Sequence, residues 1–224
     1  MKLLAFDTST DACSAALIQD GSLVERYEIA PRRHAKLLLP MIQGVLSEGG
    51  TSLSSLDAIG FGRGPGSFTG VRIAAATAQA LALGADLPVV PVSSLAALSQ
   101  VVFSEDGHSR IVAAFDARMN EVYWGAYRAG ADGLVQAIDV ERVCSPGAVP
   151  PPDGEGWAGA GGGWRAYGEQ LRIACGAAVN RVFEDRYPAA RAVAPLAVDA
   201  FRRGERVDPQ DALPVYLRDQ VTRS

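Results

Sequence analysis

The stretch Leu4-Ala5-Phe6-Asp7 recurs as Ala113-Ala114-Phe115-Asp116 near the middle of this 224-residue chain. Each copy is a short apolar run that ends in an aspartate, which is typical of a buried strand. Each is followed by a turn, a second strand-like segment, an Asp-Gly turn at 20–21 or 132–133, and a third segment. The sequence therefore predicts a duplication with its boundary near residue 105.

The first copy opens with three β-type segments, at 3–6, 12–18 and 23–29, which predict an antiparallel meander. Apolar residues at helical spacing then predict a helix that Gly49-Gly50 ends, with Pro40 either kinking it or lying in its first turn. Strands at 58–61 and 88–92 follow, alternating with helices at 71–83 and 94–101. Helices between strands imply parallel pairing, so we expect a mixed sheet.

These patterns predict an α/β fold with two mixed β-sheet domains and flanking helices. We assign residues 1–103 to an N-terminal domain and 109–213 to a C-terminal domain. The ending, 214–224, is too short for a domain, and we expect it to pack on the N-terminal domain. Proline and glycine interrupt 134–213, so the element boundaries there are the least defined.

Charge and cysteine content limit the functional classes. The net charge of -4 argues against a surface that holds nucleic acid by neutralising phosphates, so an RNA would need a partner's basic groove. The apolar run before Asp7 is too short for a signal peptide or a membrane span, and we expect a cytosolic protein. Cys13, Cys144 and Cys175 lack the spacing of a zinc site or a disulfide framework, so we expect buried or incidental thiols.

A glycine-rich loop, GRGPGSFTG at 62–70, directly precedes the helix at 71–83. Thr69 can cap this helix, whose N-terminus favours negative charge. No lysine follows the glycines, so the loop is not a Walker A motif. Two interpretations remain open: an anion-binding loop, or a rigid turn that lets the helix pack closely.

Two meanders that each open with an Asp-ended strand resemble the actin, sugar-kinase and Hsp70 group of folds, which are duplicated ribonuclease H-like folds. That resemblance implies paired turns that clamp nucleotide phosphates, with aspartate positioning a metal ion. The turn at 7–10, DTST, would be the first clamp, because backbone N–H groups and hydroxyls suit an anion. The turn at 116–121, DARMNE, would be the second clamp, but its side chains would crowd a phosphate. Alternatively, Asp7 and Asp116 only end strands and form turns.

Candidate nucleotide or anion contacts are the polar and glycine residues of these turns, together with nearby arginines. They are Asp7, Thr8, Ser9, Gly64, Gly66, Ser67, Arg72, Asp116 and Arg118. Arg63 is a further candidate, since a planar guanidinium can form two parallel hydrogen bonds with a carboxylate or a phosphate. Surface ion pairs would explain the three arginines equally well.

Four stretches together resemble the bacterial TsaB family: DTST at 7–10, GRGPGSFTGVR at 62–72, DARMNEVYW at 116–124 and PVYLR at 214–218. The resemblance spans the chain and is strongest in the first 127 residues. It implies a duplicated actin-like fold, a homodimer when alone, and a heterodimer with a catalytic TsaD-type paralogue. It also implies a TsaE-type ATPase partner. The complex would transfer a threonylcarbamoyl group to the tRNA adenosine beside the anticodon. The chain would therefore contact tRNA only as part of that complex.

The catalytic paralogues carry a His-x-x-x-His metal pair on the helix after the strand that corresponds to 88–92. The two positions are Ser94 and Leu98 here, and leucine cannot ligate a metal. His34 and His108 are distant in sequence, and we expect each to be a surface or capping group. We therefore expect no catalytic residue, no metal and no cofactor of the chain's own, with ATP or ADP only at a composite site with partners.

Two helices are candidates for partner contact, because similar proteins pair them into a four-helix bundle across the dimer. Without the resemblance, an amphipathic helix would be assigned to the core. The candidate interface residues are Leu38, Met41, Ile42, Val45, Leu46, Ala74, Ala75, Ala78 and Ala82.

Three functional hypotheses follow. The leading one is a non-catalytic dimerisation and scaffold subunit. The alternative is an actin-like ATPase or phosphotransferase that uses Asp7 and Asp116 around a metal-bound nucleotide. A peptidase rests only on the family's old glycoprotease-like label, because no ligand set or nucleophile-base arrangement is evident. Whether a homodimer is physiological stays open.

Overall fold

A computed structural model describes residues 1–218 of the chain. These residues form two compact units. The first contains Met1–Ala97 and Pro188–Val215, and the second contains Leu98–Tyr187 and residues 216–218 of the described ending. Each unit has its own β-sheet and its own core, so the predicted fold of two mixed sheets with flanking helices is confirmed.

The sheet of the first unit has the strand order β3-β2-β1-β4-β5. The first three strands pair antiparallel, as the predicted meander requires, while β4 and β5 add parallel to them. Side chains alternate between the two faces of each strand, so Leu4 and Phe6 of β1 enter one core while Leu3 and Ala5 face the other side. The strands are β1 (Lys2–Asp7), β2 (Ala12–Gln19), β3 (Ser22–Ile29), β4 (Ala58–Gly64) and β5 (Val89–Ser93).

Helices cover both faces of this sheet. The face of Leu4 and Phe6 is covered by α1 and α2, and the opposite face by α5. Pro40 lies in the second turn of α1, rather than in the first turn, because the helix begins earlier than its apolar pattern indicated. The helices of this unit are α1 (His34–Glu48), α2 (Phe68–Ala85), the start of α3 (Ser94–Asp106) and α5 (Ala190–Arg202).

The second unit repeats the meander at the start of its sheet, whose order is β11-β10-β6-β7-β8 with β9 also paired to β7. The helix α4 (Gly162–Cys175) packs on it through Trp164, whose indole N–H donates to the carbonyl of Val112 over 3.1 Å. Gly159 leaves room for that ring, since a Cβ there would lie 2.4 Å from it. The strands are β6 (Arg110–Arg118), β7 (Glu121–Ala129), β8 (Val135–Ala137), β9 (Arg142–Cys144), β10 (Trp157–Ala160) and β11 (Val179–Phe183).

The predicted C-terminal domain of 109–213 is wrong at its end, because residues 188–215 belong to the first unit. The helix α5 packs on β1, β2 and β4 through small side chains. Ala197 lies so close to Gly60 that a Cβ on the glycine would be 2.7 Å from it. Hydrogen bonds also hold the start of α5 on the first sheet, because the backbone N–H of Ala190 donates to the hydroxyl of Ser14 over 2.9 Å and that of Arg191 donates to Glu25 over 2.8 Å.

The ending also differs from its prediction. The backbone N–H of Val215 donates to the carbonyl of Arg63 over 2.9 Å, which ties the ending to the first unit as expected. Residues 216–218 instead group with the second unit, where Arg218 contacts Glu121. The remainder of the predicted segment, 219–224, lies outside the described residues.

The cysteines are free thiols, as expected, and Cys13 and Cys175 are buried. Burial raises the pKa of the Cys13 thiol to about 12, with smaller contributions from Asp7 and Glu28, and that of Cys175 to about 11. Both thiols therefore stay neutral at physiological pH.

Candidate functional site

The carboxylate of Asp7, at the end of β1, is completely buried and accepts hydrogen bonds from the chain itself. Its Oδ1 accepts from the backbone N–H and the hydroxyl of Ser9, each over 2.8 Å. Its Oδ2 accepts from the hydroxyl of Ser94 at the start of α3, over 2.8 Å. Gly62 lies directly against it, since a Cβ there would be 1.8 Å from Oδ2. The group therefore has the surroundings of a core hydrogen-bond acceptor.

The turn at 7–10, which resembled the first phosphate clamp, packs against the glycine-rich loop at 62–70 within the first unit. The N–H of Ser67 donates to the carbonyl of Ser9 over 2.7 Å, and the hydroxyl of Thr8 donates to the carbonyl of Gly70 over 2.7 Å. A Cβ on Gly66 would lie 2.4 Å from the carbonyl oxygen of Ser9. The glycines thus permit close backbone approach between two turns of the chain, which favours the rigid-turn interpretation of the loop.

The helix α2 begins one turn before its predicted start. Ser67 is its N-cap residue and accepts a long hydrogen bond, 3.5 Å, from the backbone N–H of Gly70. The predicted cap, Thr69, is wrong because it already lies inside the first turn. Among the remaining glycine-loop candidates, Gly64 is buried, and a Cβ added there would lie 3.1 Å from the side chain of Val71.

Burial raises the pKa of Asp7, and the hydrogen bonds from Ser9 and Ser94 and the nearby His34 act in the opposite direction. His34 is itself buried, and its Nε2 has no hydrogen-bond partner among the described residues. The expectation of a surface or capping histidine is therefore wrong for His34. His108 is half-buried and packs edge-on against Phe183, with ring centroids 5.2 Å apart.

We expect Asp7→Asn to fold and to change the free energy of unfolding by less than about 1 kcal/mol, because the amide keeps an acceptor for Ser9 and offers a donor to Ser94. Asp7→Ala, the comparison variant, should cost about 2 to 3 kcal/mol, since it leaves buried donors unpaired. Urea unfolding measures both. Equal losses in the two variants would contradict the hydrogen-bond network.

The same variants test whether the pKa of Asp7 is raised in the folded protein. Because the pKa of Asp7 is raised, the folded state holds a proton that the unfolded chain releases between the ordinary and the raised value. Stability from this group is therefore present below that window and is lost as pH rises through it. Asp7→Asn should remove this pH dependence from the free energy of unfolding.

Asp116, the corresponding aspartate of the second unit, has different surroundings. Its carboxylate is partly exposed and accepts from the backbone N–H of Arg118 over 2.8 Å and from the Arg118 side chain over 2.9 Å. The hydroxyl of Tyr167, in α4, donates to it over 3.3 Å. Asp116 therefore orders the turn that follows β6 and leaves Arg118 pointing into solvent.

The predicted interface residues lie on the inner faces of α1 and α2. In the single chain they pack against their own sheet, and direct contact between them and a partner stays a prediction. Both helices turn their most apolar stripe inward, as the general rule for amphipathic helices predicts. Seven are fully buried, namely Leu38, Ile42, Val45, Ala74, Ala75, Ala78 and Ala82, while Met41 and Leu46 are partly buried against the same core.

The outward face of α2 is also largely apolar, whereas α1 exposes Lys36, Gln43 and Glu48 as well as Leu39. Phe68 is 63% exposed and Leu83 is 77% exposed, at opposite ends of α2, with exposed Ala76 between them. The guanidinium of Arg72 lies 3.3 Å from the centre of the Phe68 ring. Leu39 of α1 is also exposed. Positions 68, 72, 76 and 80 recur every four residues, which is the spacing of residues on one face of a helix. This face could not be recognised from the sequence, because the helix carries apolar residues on all sides.

We call this set the outer helix face, defined by Phe68, Arg72, Ala76, Ala80 and Leu83 of α2 and by Leu39 of α1. Exposed apolar side chains that recur along one helix face indicate an interaction site more often than single scattered ones do.

The positions of the expected metal pair hold no metal ligands. Ser94 donates to Asp7, and Leu98 is buried in the core. Within residues 1–218, no group of three or more His, Cys, Asp or Glu side chains is arranged to hold a metal ion. In the same range, no helix is both long and apolar enough to span a membrane. Arg63 is partly buried beside the ending of the chain.

The fold and this site define the class: a duplicated actin-like α/β protein in which the first strand-end aspartate is enclosed by the chain's own turns. A family model described as TsaD, tRNA N6-adenosine threonylcarbamoyltransferase, matches residues 26–154. The chain is 42% identical to the tRNA threonylcarbamoyladenosine biosynthesis protein TsaB of Escherichia coli K12, over 99% of this chain and 96% of that protein. The chain belongs to the TsaB family.

Two further comparisons agree with this assignment. The TsaB protein of Haemophilus influenzae is 40% identical over 99% of this chain and 95% of its own length. The solved structure of YeaZ from Pseudomonas aeruginosa is 46% identical and superposes with a TM-score of 0.89, covering 96% of this chain and 99% of that one. The likeness therefore extends over both units.

Proposed function

We propose that this chain is a non-catalytic subunit in the biosynthesis of threonylcarbamoyladenosine on tRNA. It pairs with a catalytic TsaD-type paralogue, and the pair acts with a TsaE-type ATPase to modify the adenosine beside the anticodon. The names of its full-length relatives support the pathway. The enclosed carboxylate of Asp7 is the single observation that carries the non-catalytic role.

An actin-like phosphotransferase needs its strand-end aspartate to reach a metal-bound phosphate. Here both oxygens of Asp7 accept hydrogen bonds from Ser9 and Ser94, and Gly62 covers the carboxylate. A ligand would have to break these bonds and separate two turns that share backbone hydrogen bonds. That cost supports a structural role for Asp7 over a catalytic one.

The scaffold role is supported by the outer helix face. Aromatic and arginine side chains, such as Phe68 and Arg72 here, are enriched in protein interfaces. The small residues Ala76 and Ala80 between them let another helix approach closely. We assign this face to the paralogue, and to a second copy of the chain when it is alone. Because the net charge is negative, tRNA binds through the complex, which we place in the cytoplasm.

Reconstitution tests the proposal. Purified paralogue, ATPase partner, unmodified tRNA, ATP and a threonylcarbamoyl donor are combined with and without this chain, and the modified nucleoside is measured by mass spectrometry. We expect product only when the chain is present, none from the chain alone, and full activity with Asp7→Asn. Turnover by the chain alone, or loss of activity with correctly folded Asp7→Asn, would reject the non-catalytic role.

The alternative is an ATPase or phosphotransferase, which the repeated strand-end aspartate favours. Calorimetry of ATP and magnesium with the isolated chain separates the two functions. We expect no heat of binding from the chain alone, because any ATP or ADP site is completed by the partners.

A further inference from the structure

The turn between β6 and β7 has an unfavourable backbone. Arg118, Met119 and Asn120 have φ values of 63°, 55° and 58°, which place three successive non-glycine residues in the left-handed region. Asparagine tolerates this conformation, whereas arginine and methionine do so only at an energetic cost. A two-residue hairpin turn of this type is normally Asn-Gly. We call Arg118, Met119 and Asn120 the 118–120 tip.

Several side chains hold the tip in this conformation. Asp116 accepts from the backbone N–H of Arg118, and the strand register shifts at that point. The guanidinium of Arg218 donates to the carbonyl of Ala117 over 2.9 Å and to the carboxylate of Glu121 over 2.8 Å. Strained backbone persists where its surroundings over-determine it, and such positions are frequent at functional sites.

The tip carries two largely exposed side chains, of which Met119 also accepts a hydrogen bond at its Sδ from the guanidinium of Arg218 over 2.7 Å. The Arg118 side chain is 86% exposed, yet one of its nitrogens is oriented by Asp116 over 2.9 Å. Met119 is 79% exposed at the end of the hairpin. Methionine is a flexible apolar side chain that adapts to irregular pockets, and both residue types are enriched in protein interfaces.

The charges around the tip favour a protein over a nucleic acid as the bound partner. The guanidinium groups of Arg118 and Arg218 are offset by the carboxylates of Asp116 and Glu121, each within an ion pair. A phosphate backbone is bound through uncompensated positive charge, which these four groups do not supply. An oriented guanidinium beside an apolar methionine instead matches a pocket with a carboxylate on its rim.

We propose that the 118–120 tip is a second protein-contact site, in which Met119 enters an apolar pocket and Arg118 pairs with a carboxylate on the catalytic paralogue. This inference rests on the proposed function for the identity of the partner. It concerns the second unit and is independent of the outer helix face, which lies on the first.

The test replaces the tip by the turn that its geometry prefers. Met119→Asn/Asn120→Gly should relieve the left-handed strain and raise the midpoint of thermal unfolding, because asparagine and glycine suit these positions. The same variant should bind the purified paralogue at least about tenfold more weakly by calorimetry, the loss that one truncated anchor residue typically causes. Asn120→Gly alone is the matched control: it keeps Arg118 and Met119, so its affinity should equal that of the unsubstituted chain.

The outcomes separate the two proposals. If the unsubstituted chain does not bind the paralogue, both the proposed function and the assignment of the 118–120 tip are rejected. If it binds and the double variant binds equally tightly, only the tip assignment is overturned. If the double variant keeps its affinity for the paralogue but loses affinity for ATP or tRNA measured in parallel, the tip is a nucleotide or RNA contact, and the proposed protein contact is wrong.

Discussion

Gly70→Ala is expected to lower the free energy of unfolding by about 3 kcal/mol or more, at the upper end of the range for overpacked cores. Its new Cβ would lie 1.9 Å from the carbonyl oxygen of Thr8 and 3.0 Å from the carbonyl carbon. Both are backbone atoms, so no side-chain rotation can relieve the contact. The substitution would also separate the carbonyl of Gly70 from the hydroxyl of Thr8.

Thermal or urea unfolding measures this effect, and a loss of this size should lower the midpoint temperature by roughly 6 to 12 °C in a protein of this length. Gly84→Ala, in the same helix, is the matched control because a Cβ there meets nothing within 4 Å. It should be neutral or stabilising by up to about 1 kcal/mol. A Gly70→Ala protein as stable as the Gly84→Ala protein would show that the two turns do not pack as described.

Ala76→Arg is expected to weaken binding to the catalytic paralogue by about 100-fold, which corresponds to about 3 kcal/mol. Ala76 is exposed at the centre of the outer helix face, between Phe68 and Leu83. An arginine there would be buried without a partner charge when two apolar helices meet, and an unpaired buried charge is costly. The same change should reduce self-association and abolish activity of the reconstituted complex.

Calorimetry with the paralogue and light scattering of the chain alone measure the two associations. Ala166→Arg, at an exposed alanine of α4 in the second unit, is the control and should leave both unchanged. Unfolding midpoints equal to that of the unsubstituted protein would establish that both variants fold. Arginine at Leu38 or Ala75 would be uninformative, since those side chains are in the core. Undiminished pairing by Ala76→Arg would remove the scaffold proposal.

Much of the architecture was predictable because the signals are local. The repeated Asp-ended strand and the two Asp-Gly turns indicated a duplicated meander, and β1, β2 and β3 pair in that order. The sequence also showed that position 98, where the catalytic paralogues carry the second histidine of the metal pair, is a leucine. By contrast, α2 is rich in alanine on every side, so its pattern did not indicate which face enters the core.

The candidate site was predictable in its residues but not in its arrangement. Asp7, Thr8 and Ser67 were identified as candidate nucleotide or anion contacts, whereas in the structure they form hydrogen bonds within and between two turns of the chain. A glycine that permits a phosphate to approach and one that permits another backbone to approach have the same local sequence. The two kinds of glycine are distinguished only by whether another backbone segment of the folded chain lies close to them, which the motif does not indicate.

The fold class, the duplication, the order of the strands in the first meander and membership of the TsaB family could all be inferred from the residues alone. The tertiary fold was needed to show that Ser94 donates to Asp7 from 87 residues away, that α5 packs on the first sheet, and that Phe68 and Leu83 of α2 are exposed. The reason is physical. Strand and turn preferences are set by neighbouring residues, whereas burial and hydrogen-bond partners depend on which distant segments fill the same space.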